Sequence, residues 1–184
     1  TGNVELASTA GNPAALTSLT VSSATLARFR NDITTNGASG IDVTATTINL
    51  DELIMTANNA GAVINLDGNV TLTAGAAELY AFQSITVTGT VSGGEDLTVG
   101  HPTPATPNIS FNGNVGTPTT LGAITISNGY DITFGGTVAA TSITQTNGAN
   151  STTFAGDVTT TGAITITAAN DLTFSGTVDA LSLA

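Results

Sequence analysis

Cysteine and lysine are both absent from this 184-residue chain, and His101 is its only histidine. Without cysteine the chain has no disulfides and no thiol nucleophile, and a single histidine cannot complete a structural zinc site. His101 lies in a proline-rich stretch, so we expect it to be an exposed loop residue. A serine–histidine–aspartate triad would have to recruit that same side chain from a loop. These absences argue against nucleophilic and zinc-dependent chemistry.

Charged residues are also scarce, at 8% of the chain, and most of them are acidic. Arg28 and Arg30 are the only cations against 13 Asp and Glu, which gives a formal net charge of −11. A chain without a basic patch does not attract a phosphate backbone, so we expect no nucleic-acid partner. We expect the two arginines to bond nearby carboxylates or loop carbonyls; the alternative is an anion or glycan contact that uses Phe29. No apolar run approaches the roughly 18 residues of a membrane span, so no membrane insertion is expected.

A seven-residue pattern recurs along the chain: apolar, polar, apolar, any residue, glycine, small polar, valine. It is clearest at 132–138, Ile-Thr-Phe-Gly-Gly-Thr-Val, and its copies begin at residues 64, 85, 109, 132, 152 and 172. The steps between copies are 21, 24, 23, 20 and 20 residues. Self-similarity at such a period is typical of a solenoid, in which each repeat forms one coil stacked on the last.

Each copy of the pattern is predicted to be a β-strand, because its apolar residues alternate with polar ones instead of recurring every three or four positions. Stacking the copies places their third and seventh residues in interior columns. These predicted core residues are Leu66, Val87, Phe111, Phe134, Phe154, Phe174, Val70, Val91, Val115, Val138, Val158 and Val178. The glycines should mark a bend or bulge where a side chain would crowd the turning backbone. They are Gly68, Gly89, Gly113, Gly136, Gly156 and Gly176.

A second strand per coil is indicated by segments such as 124–126 and 164–166, both Ile-Thr-Ile. We therefore predict an all-β fold, a right-handed parallel β-solenoid (β-helix) of about 20–24 residues per coil. Residues 1–40 are predicted to form weakly repetitive first coils or a cap. Residues 41–184 form the repeat region, with proline-bearing loop insertions at 100–108 and 116–120. The last residues stop within a second strand, so we expect further chain or another subunit to pair there.

The carboxylates do not suggest a catalytic pair. Asp51–Glu52 and Glu95–Asp96 are adjacent in sequence, and neighbouring residues on a strand point to opposite faces. We therefore expect a non-catalytic protein without cofactor or named metal ligands, although Ca²⁺ in the turns stays open because oxygen ligands suffice for it. Ice-binding solenoids present rows of Thr-x-Thr in which both threonines point outward. Here one outward column contains Thr133, but the residues two positions further along each strand are of mixed type. The predicted array is therefore one column wide.

Runs such as 15–21 (Ala-Leu-Thr-Ser-Leu-Thr-Val), 132–138 and 162–166 (Gly-Ala-Ile-Thr-Ile) resemble giant bacterial β-strand-repeat surface proteins. These are the filamentous-haemagglutinin-like and autotransporter-like exoproteins, and the likeness covers most of residues 15–184. The resemblance implies secretion, a long rod at the bacterial cell surface, and a role as stalk, matrix, filament or adhesin. The expected partners are other coils of the same longer chain or identical subunits end to end, and cell-surface glycans. The alternative is a glycan- or ice-binding β-solenoid module.

Overall fold

The computed structural model is a parallel β-solenoid of about 8 turns with about 21 residues per coil, which confirms the predicted fold class. It describes residues 2–10, 14–101, 105–148, 150–167 and 169–184, and none of them is helical. In chain order the strands are β1 (Asn3–Leu6), β2 (Leu19–Phe29), β3 (Ile33–Thr35), β4 (Ile41–Leu50), β5 (Leu53–Ala57), β6 (Val63–Leu72), β7 (Ala77–Ala81), β8 (Ser84–Val87), β9 (Val91–Ser92), β10 (Leu97–Gly100), β11 (Asn108–Phe111), β12 (Leu121–Ile126), β13 (Asp131–Phe134), β14 (Val138–Gln145), β15 (Ser151–Phe154), β16 (Val158–Thr160), β17 (Ala163–Ile166), β18 (Asp171–Phe174), β19 (Val178–Asp179) and β20 (Ser182–Leu183).

The strands form two 10-stranded parallel sheets. Sheet one contains β1, β2, β4, β6, β8, β9, β11, β13, β15 and β18, and sheet two contains β3, β5, β7, β10, β12, β14, β16, β17, β19 and β20. Inward side chains from both sheets build one continuous apolar core. Because each strand pairs with the equivalent strand of the next coil, the polar residues that alternate with the core residues line the outside.

The repeat continues into the first forty residues. Leu19 pairs with Ile41 as Ile41 pairs with Ile64, so β2 occupies the same place in its coil as β4 and β6. The segment around Arg28 is the end of strand β2. The first coils therefore share the ladder of the clearer copies.

The proline-rich stretch at 100–108 lies against the rod in its described part, with residues 102–104 outside the described residues. Strand β10 runs through Gly100, and the carbonyl of the buried Pro107 accepts a hydrogen bond from the Tyr130 amide at 2.9 Å. The expectation that His101 is exposed is wrong, because the residue is only 5% exposed. Alternation along β10 puts residue 101 on the same inward side as Val99. In the second insertion, residues 117–120 are exposed.

Thr35 has the only buried side-chain oxygen in the described part of the chain that lacks a hydrogen-bond partner. The residue is fully buried in β3, opposite Ala57. Thr35→Val keeps the shape and removes the unpaired hydroxyl, so we expect the free energy of unfolding to rise by about 1 kcal/mol. Urea titration measures this change. Thr34→Val, at the neighbouring partly exposed position, should change stability by less than about 0.5 kcal/mol. An equal gain from both variants would contradict the burial argument.

Candidate functional site

The third residues of the repeat stack in register in the interior of sheet one. Leu66 pairs with Val87 and Val87 with Phe111, after which three further phenylalanines continue the column. Successive phenyl rings from Phe111 to Phe174 are stacked, with centroids 5.1, 4.8 and 4.9 Å apart and interplanar angles of 10°, 2° and 7°. The first three rings are at most 1% exposed. This phenyl column is a structural element of the rod and holds no polar group for chemistry.

The valines that end each copy form a second interior column. Each pairs with the valine of the next coil, and the column comprises Val70, Val91, Val115, Val138, Val158 and Val178. Five of them are at most 2% exposed, whereas Val178 in the last coil is 39% exposed. The column therefore buries apolar surface at every step of the rod except the last.

The glycines of the repeat also stack, and close approach of the backbone explains them. A Cβ added at Gly156 would lie 2.6 Å from the carbonyl oxygen of Gly136, and one at Gly113 would lie 2.6 Å from the carbonyl carbon of Gly89. Real Cβ atoms do not come so close to backbone. Gly68 in addition has a φ of 153°. The remaining members, Gly89, Gly136 and Gly176, meet the preceding coil in the same way.

The residue after each glycine forms a polar ladder that the sequence pattern did not predict. The side-chain oxygen Oδ1 accepts the backbone N–H of the next coil in three pairs: Asn69–Thr90 at 3.1 Å, Asn114–Thr137 at 3.0 Å and Asp157–Thr177 at 2.8 Å. Acceptor and threonine thus alternate from coil to coil. The signal was present as an Asn, Thr, Asn, Thr, Asp, Thr series, which the description "small polar" concealed.

Asp157 makes this ladder sensitive to acid. The backbone N–H of Thr177, with the Thr177 hydroxyl, holds the pKa of the Asp157 carboxyl below its ordinary value. A carboxyl whose folded-state pKa is lowered adds stability above its unfolded pKa of about 3.9, and this stability disappears as the pH falls through the folded value. Asp157→Asn keeps the acceptor oxygen, so we expect the variant to fold at neutral pH and to lose less stability below about pH 4.

Urea titrations of the Asp157→Asn variant between pH 7 and pH 3 test this expectation. Asn114→Asp is the reciprocal variant, since it puts a carboxylate opposite the Thr137 N–H, and it should lose more stability in acid than the unmodified chain. Parallel pH profiles for all three proteins would contradict the role given to the Asp157 carboxylate.

Both cations of the chain are paired in the first coils. Arg28 bonds the Asp51 carboxylate through Nε at 2.8 Å and through Nη2 at 2.7 Å. Arg30 lies 3.0 Å from a Glu5 oxygen and 3.6 Å from Asp51, whose other oxygen accepts the Thr73 hydroxyl. The Asp51 side chain is 9% exposed, so this ionic cluster is a partly buried structural clasp. The interpretation of the arginines as partners of carboxylates agrees with this geometry.

Few groups in the described residues suggest ligand chemistry. No group of three or more His, Cys, Asp or Glu there could hold a metal ion. An open pocket of about 300 Å³ is lined by Asp32, Glu52, Leu53, Ile54, Ala76 and Glu78. Asp32 accepts the Ile54 amide at 2.9 Å, and Glu78 accepts the Tyr80 hydroxyl at 2.7 Å. Burial, with the Glu78 hydrogen bond and charge, raises the pKa of Tyr80 to about 12.

The outward face of sheet two carries rows of hydroxyl side chains. These residues lie outside the seven-residue repeat, so the repeat did not predict them. Thr98, Thr125, Thr144 and Thr165 occupy paired positions on successive coils. Two positions later, three of these coils carry Ser127, Thr146 and Thr167. The Thr146 hydroxyl also donates to the Ser127 carbonyl at 2.9 Å. Sheet two therefore presents Thr-x-Ser and Thr-x-Thr rows, in contrast to the single column on sheet one.

Comparison of the chain with protein-family models, with curated proteins and with solved structures found no match. Among the described residues, no helix has the length and apolarity to cross a bilayer. A proposal of function therefore depends on the geometry described above: stacked interior columns, a polar ladder, an ionic clasp and outward hydroxyl rows.

Proposed function

We propose that this chain is a non-catalytic structural segment of a secreted bacterial surface or filament protein, serving as a stalk, matrix element or adhesin. The observation that supports this is the continuous ladder, in which every coil from β1 to β20 pairs in parallel with its neighbour. The residues that recur in the copies stack on their equivalents in the next coil: the apolar third residues, four of which are phenylalanine, the valines and the glycines. A rod of about eight coils is about 40 Å long at ~4.8 Å per coil.

Such a rod would act mechanically. In a solenoid the inter-strand hydrogen bonds run along the axis, so a force that pulls the ends apart loads all bonds between two coils together. The Asn69–Thr90 type of side-chain bond adds to the backbone ladder at alternate steps. The rod therefore resists extension through many weak bonds that must break at once, without any chemical site.

Apolar side chains are exposed in the coil that contains β18, β19 and β20. Leu172 and Val178, which continue interior columns, are 41% and 39% exposed, and Leu181 and Leu183 are 80% and 55% exposed. A coil placed on this end would bury these side chains and pair the free edges of β18, β19 and β20. The proposed partners are further coils of a longer chain or identical subunits end to end, with cell-surface glycans as the target of an adhesin.

Electron microscopy with analytical ultracentrifugation of the native material tests the proposal. We expect rods or filaments far longer than about 40 Å. Val178→Asp puts a charge among the exposed apolar side chains of this coil and should shorten assemblies of separate subunits. Thr153→Asp adds the same charge on the side of the rod, between the uncharged Thr133 and Thr173, and should not. Native material consisting of monodisperse short rods of one mass would overturn the proposal.

A second candidate function, binding of ice, is favoured by the Thr-x-Thr rows on sheet two. These rows repeat hydroxyls and methyls at ~4.8 Å along successive coils, and water ordered on that repeat would be the mode of contact with ice. Thr144→Tyr, in the middle of the array, should abolish inhibition of ice recrystallisation, while Thr133→Tyr on sheet one should leave it unchanged. If the unmodified chain shows no inhibition, this candidate is excluded.

A further inference from the structure

Two interior columns of the solenoid are apolar in every coil except one. The first residues of the repeat form the column Leu19, Ile41, Ile64, Ile85, Ile109, Ile132, Thr152 and Leu172. A column of sheet two comprises Ile33, Met55, Leu79, Val99, Ile126, Gln145 and Ile166. Each column thus contains one polar residue, and these two residues belong to adjoining strands, β14 and β15.

The two exceptions are bonded to each other inside the core. The Thr152 hydroxyl donates to Gln145 Oε1 at 2.8 Å, and the two residues are 1% and 0% exposed. A buried polar group without a partner is strongly unfavourable, whereas a bonded pair is tolerated. Thr152 donates to Gln145 Oε1 only if β15 follows β14 directly in the stack.

The other interior columns do not distinguish one coil from the next in this region; outside the core, the ladder residue Asp157 alternates with Thr137 and Thr177. The copies at 132–138, 152–158 and 172–178 are separated by steps of 20 residues and carry Phe, Gly and Val at the same places. If β18 took the place of β15, phenylalanine would still stack on phenylalanine and glycine on glycine. Strands with such uniform patterns specify their register weakly.

We infer that the buried Gln145–Thr152 pair fixes the order of strands in this part of the solenoid. With β13 or β18 in place of β15, Gln145 would face Ile132 or Leu172 and Oε1 would lose its hydroxyl donor. The same penalty applies when a strand from another molecule, belonging to a different repeat, takes the place of β15. A buried polar residue that selects one register among similar ones is a known use of such groups.

Engineered cysteines can report the strand order, because the chain has none of its own. Thr133, Thr153 and Thr173 are outward residues at paired positions on three successive coils. Residues on neighbouring coils are ~4.8 Å apart and can form a disulfide, whereas residues two coils apart, at roughly 9.6 Å, cannot. Thr133→Cys with Thr173→Cys therefore forms an intramolecular disulfide only when β15 has been left out of the stack.

The reporter is the chain with both Thr133→Cys and Thr173→Cys. It is refolded from urea under oxidising conditions, once with the native Gln145–Thr152 pair and once with that pair replaced. In the native background we expect no intramolecular disulfide, while Thr133→Cys with Thr153→Cys, the positive control, should cross-link. Adding Gln145→Leu and Thr152→Val makes both columns apolar. We expect this background to keep or raise the thermal midpoint, yet to give a measurable cross-linked fraction and a lower yield of monomer.

A single variant separates register from stability. Thr152→Val alone removes the hydroxyl donor to Oε1 in the native register as well as in the others. It should therefore lower the thermal midpoint, which the double apolar variant does not, and still give a cross-linked fraction of the reporter. If the double apolar variant refolds to monomer with the native yield and the reporter shows no disulfide, the inference is overturned. Cross-linking of the reporter in the native background would overturn it as well.

Discussion

Replacing Phe134 with alanine is expected to lower the free energy of unfolding by about 3–5 kcal/mol. The ring is fully buried and stacked on both sides, 5.1 Å from the Phe111 centroid and 4.8 Å from that of Phe154. Alanine would leave a cavity that the ladders above and below cannot close, because their spacing is fixed by backbone hydrogen bonds. The neighbouring rings would also lose their stacking contacts.

Urea unfolding followed by circular dichroism measures this loss. Phe174→Ala is the matched control, since that ring has one stacked neighbour, Phe154, and is only partly buried. We expect it to lose less than half as much stability as Phe134→Ala. Equal losses for the two variants would contradict the account of the phenyl column.

Gly113→Ala is expected to destabilise the rod by about 1–3 kcal/mol or more, although it adds a single methyl group. The added Cβ would overlap the Gly89 carbonyl and lie 2.9 Å from the Thr90 nitrogen. Both obstacles are backbone, so relief requires the two coils to separate at this point. The hydrogen bonds between them would lengthen as a result.

Gly94→Ala provides the control for this effect, because a Cβ there meets nothing within 4 Å. It should leave stability unchanged or raise it slightly, since alanine restricts the unfolded chain more than glycine does. Thermal unfolding and hydrogen exchange of the coils around residue 113 measure both variants. Similar midpoints for the two alanine variants would show that the backbone relaxes at no cost.

The architecture could be predicted from the sequence because several residue types recur with the same period. Alternation indicates strands, and the recurrence of Phe and Val at fixed places indicates which side faces the core. Contacts between coils follow the same period: Arg28 meets Asp51 after 23 residues, close to the repeat step. A search for charges one step apart would have found the ionic clasp.

Other features depend on three-dimensional detail that the pattern does not carry. The burial of His101 follows from how far β10 runs, and the prolines beside it suggested an earlier end. The Gln145–Thr152 bond joins a strand of sheet two to the following strand of sheet one, so neither column predicts it alone. The hydroxyl rows of sheet two became visible only when the pairing of its strands was known.

The parallel stacking of coils also has a consequence for the symmetry of the end-to-end assembly proposed above. Each phenyl ring from Phe111 to Phe154 is related to the next by a shift along the axis, with nearly parallel planes. A contact between two molecules that reuses this relation joins unlike ends and contains no two-fold axis. Such heterologous contacts form open linear arrays instead of closed dimers. Under the end-to-end assembly proposed above, the geometry that holds one coil on the next would give polar, one-dimensional growth.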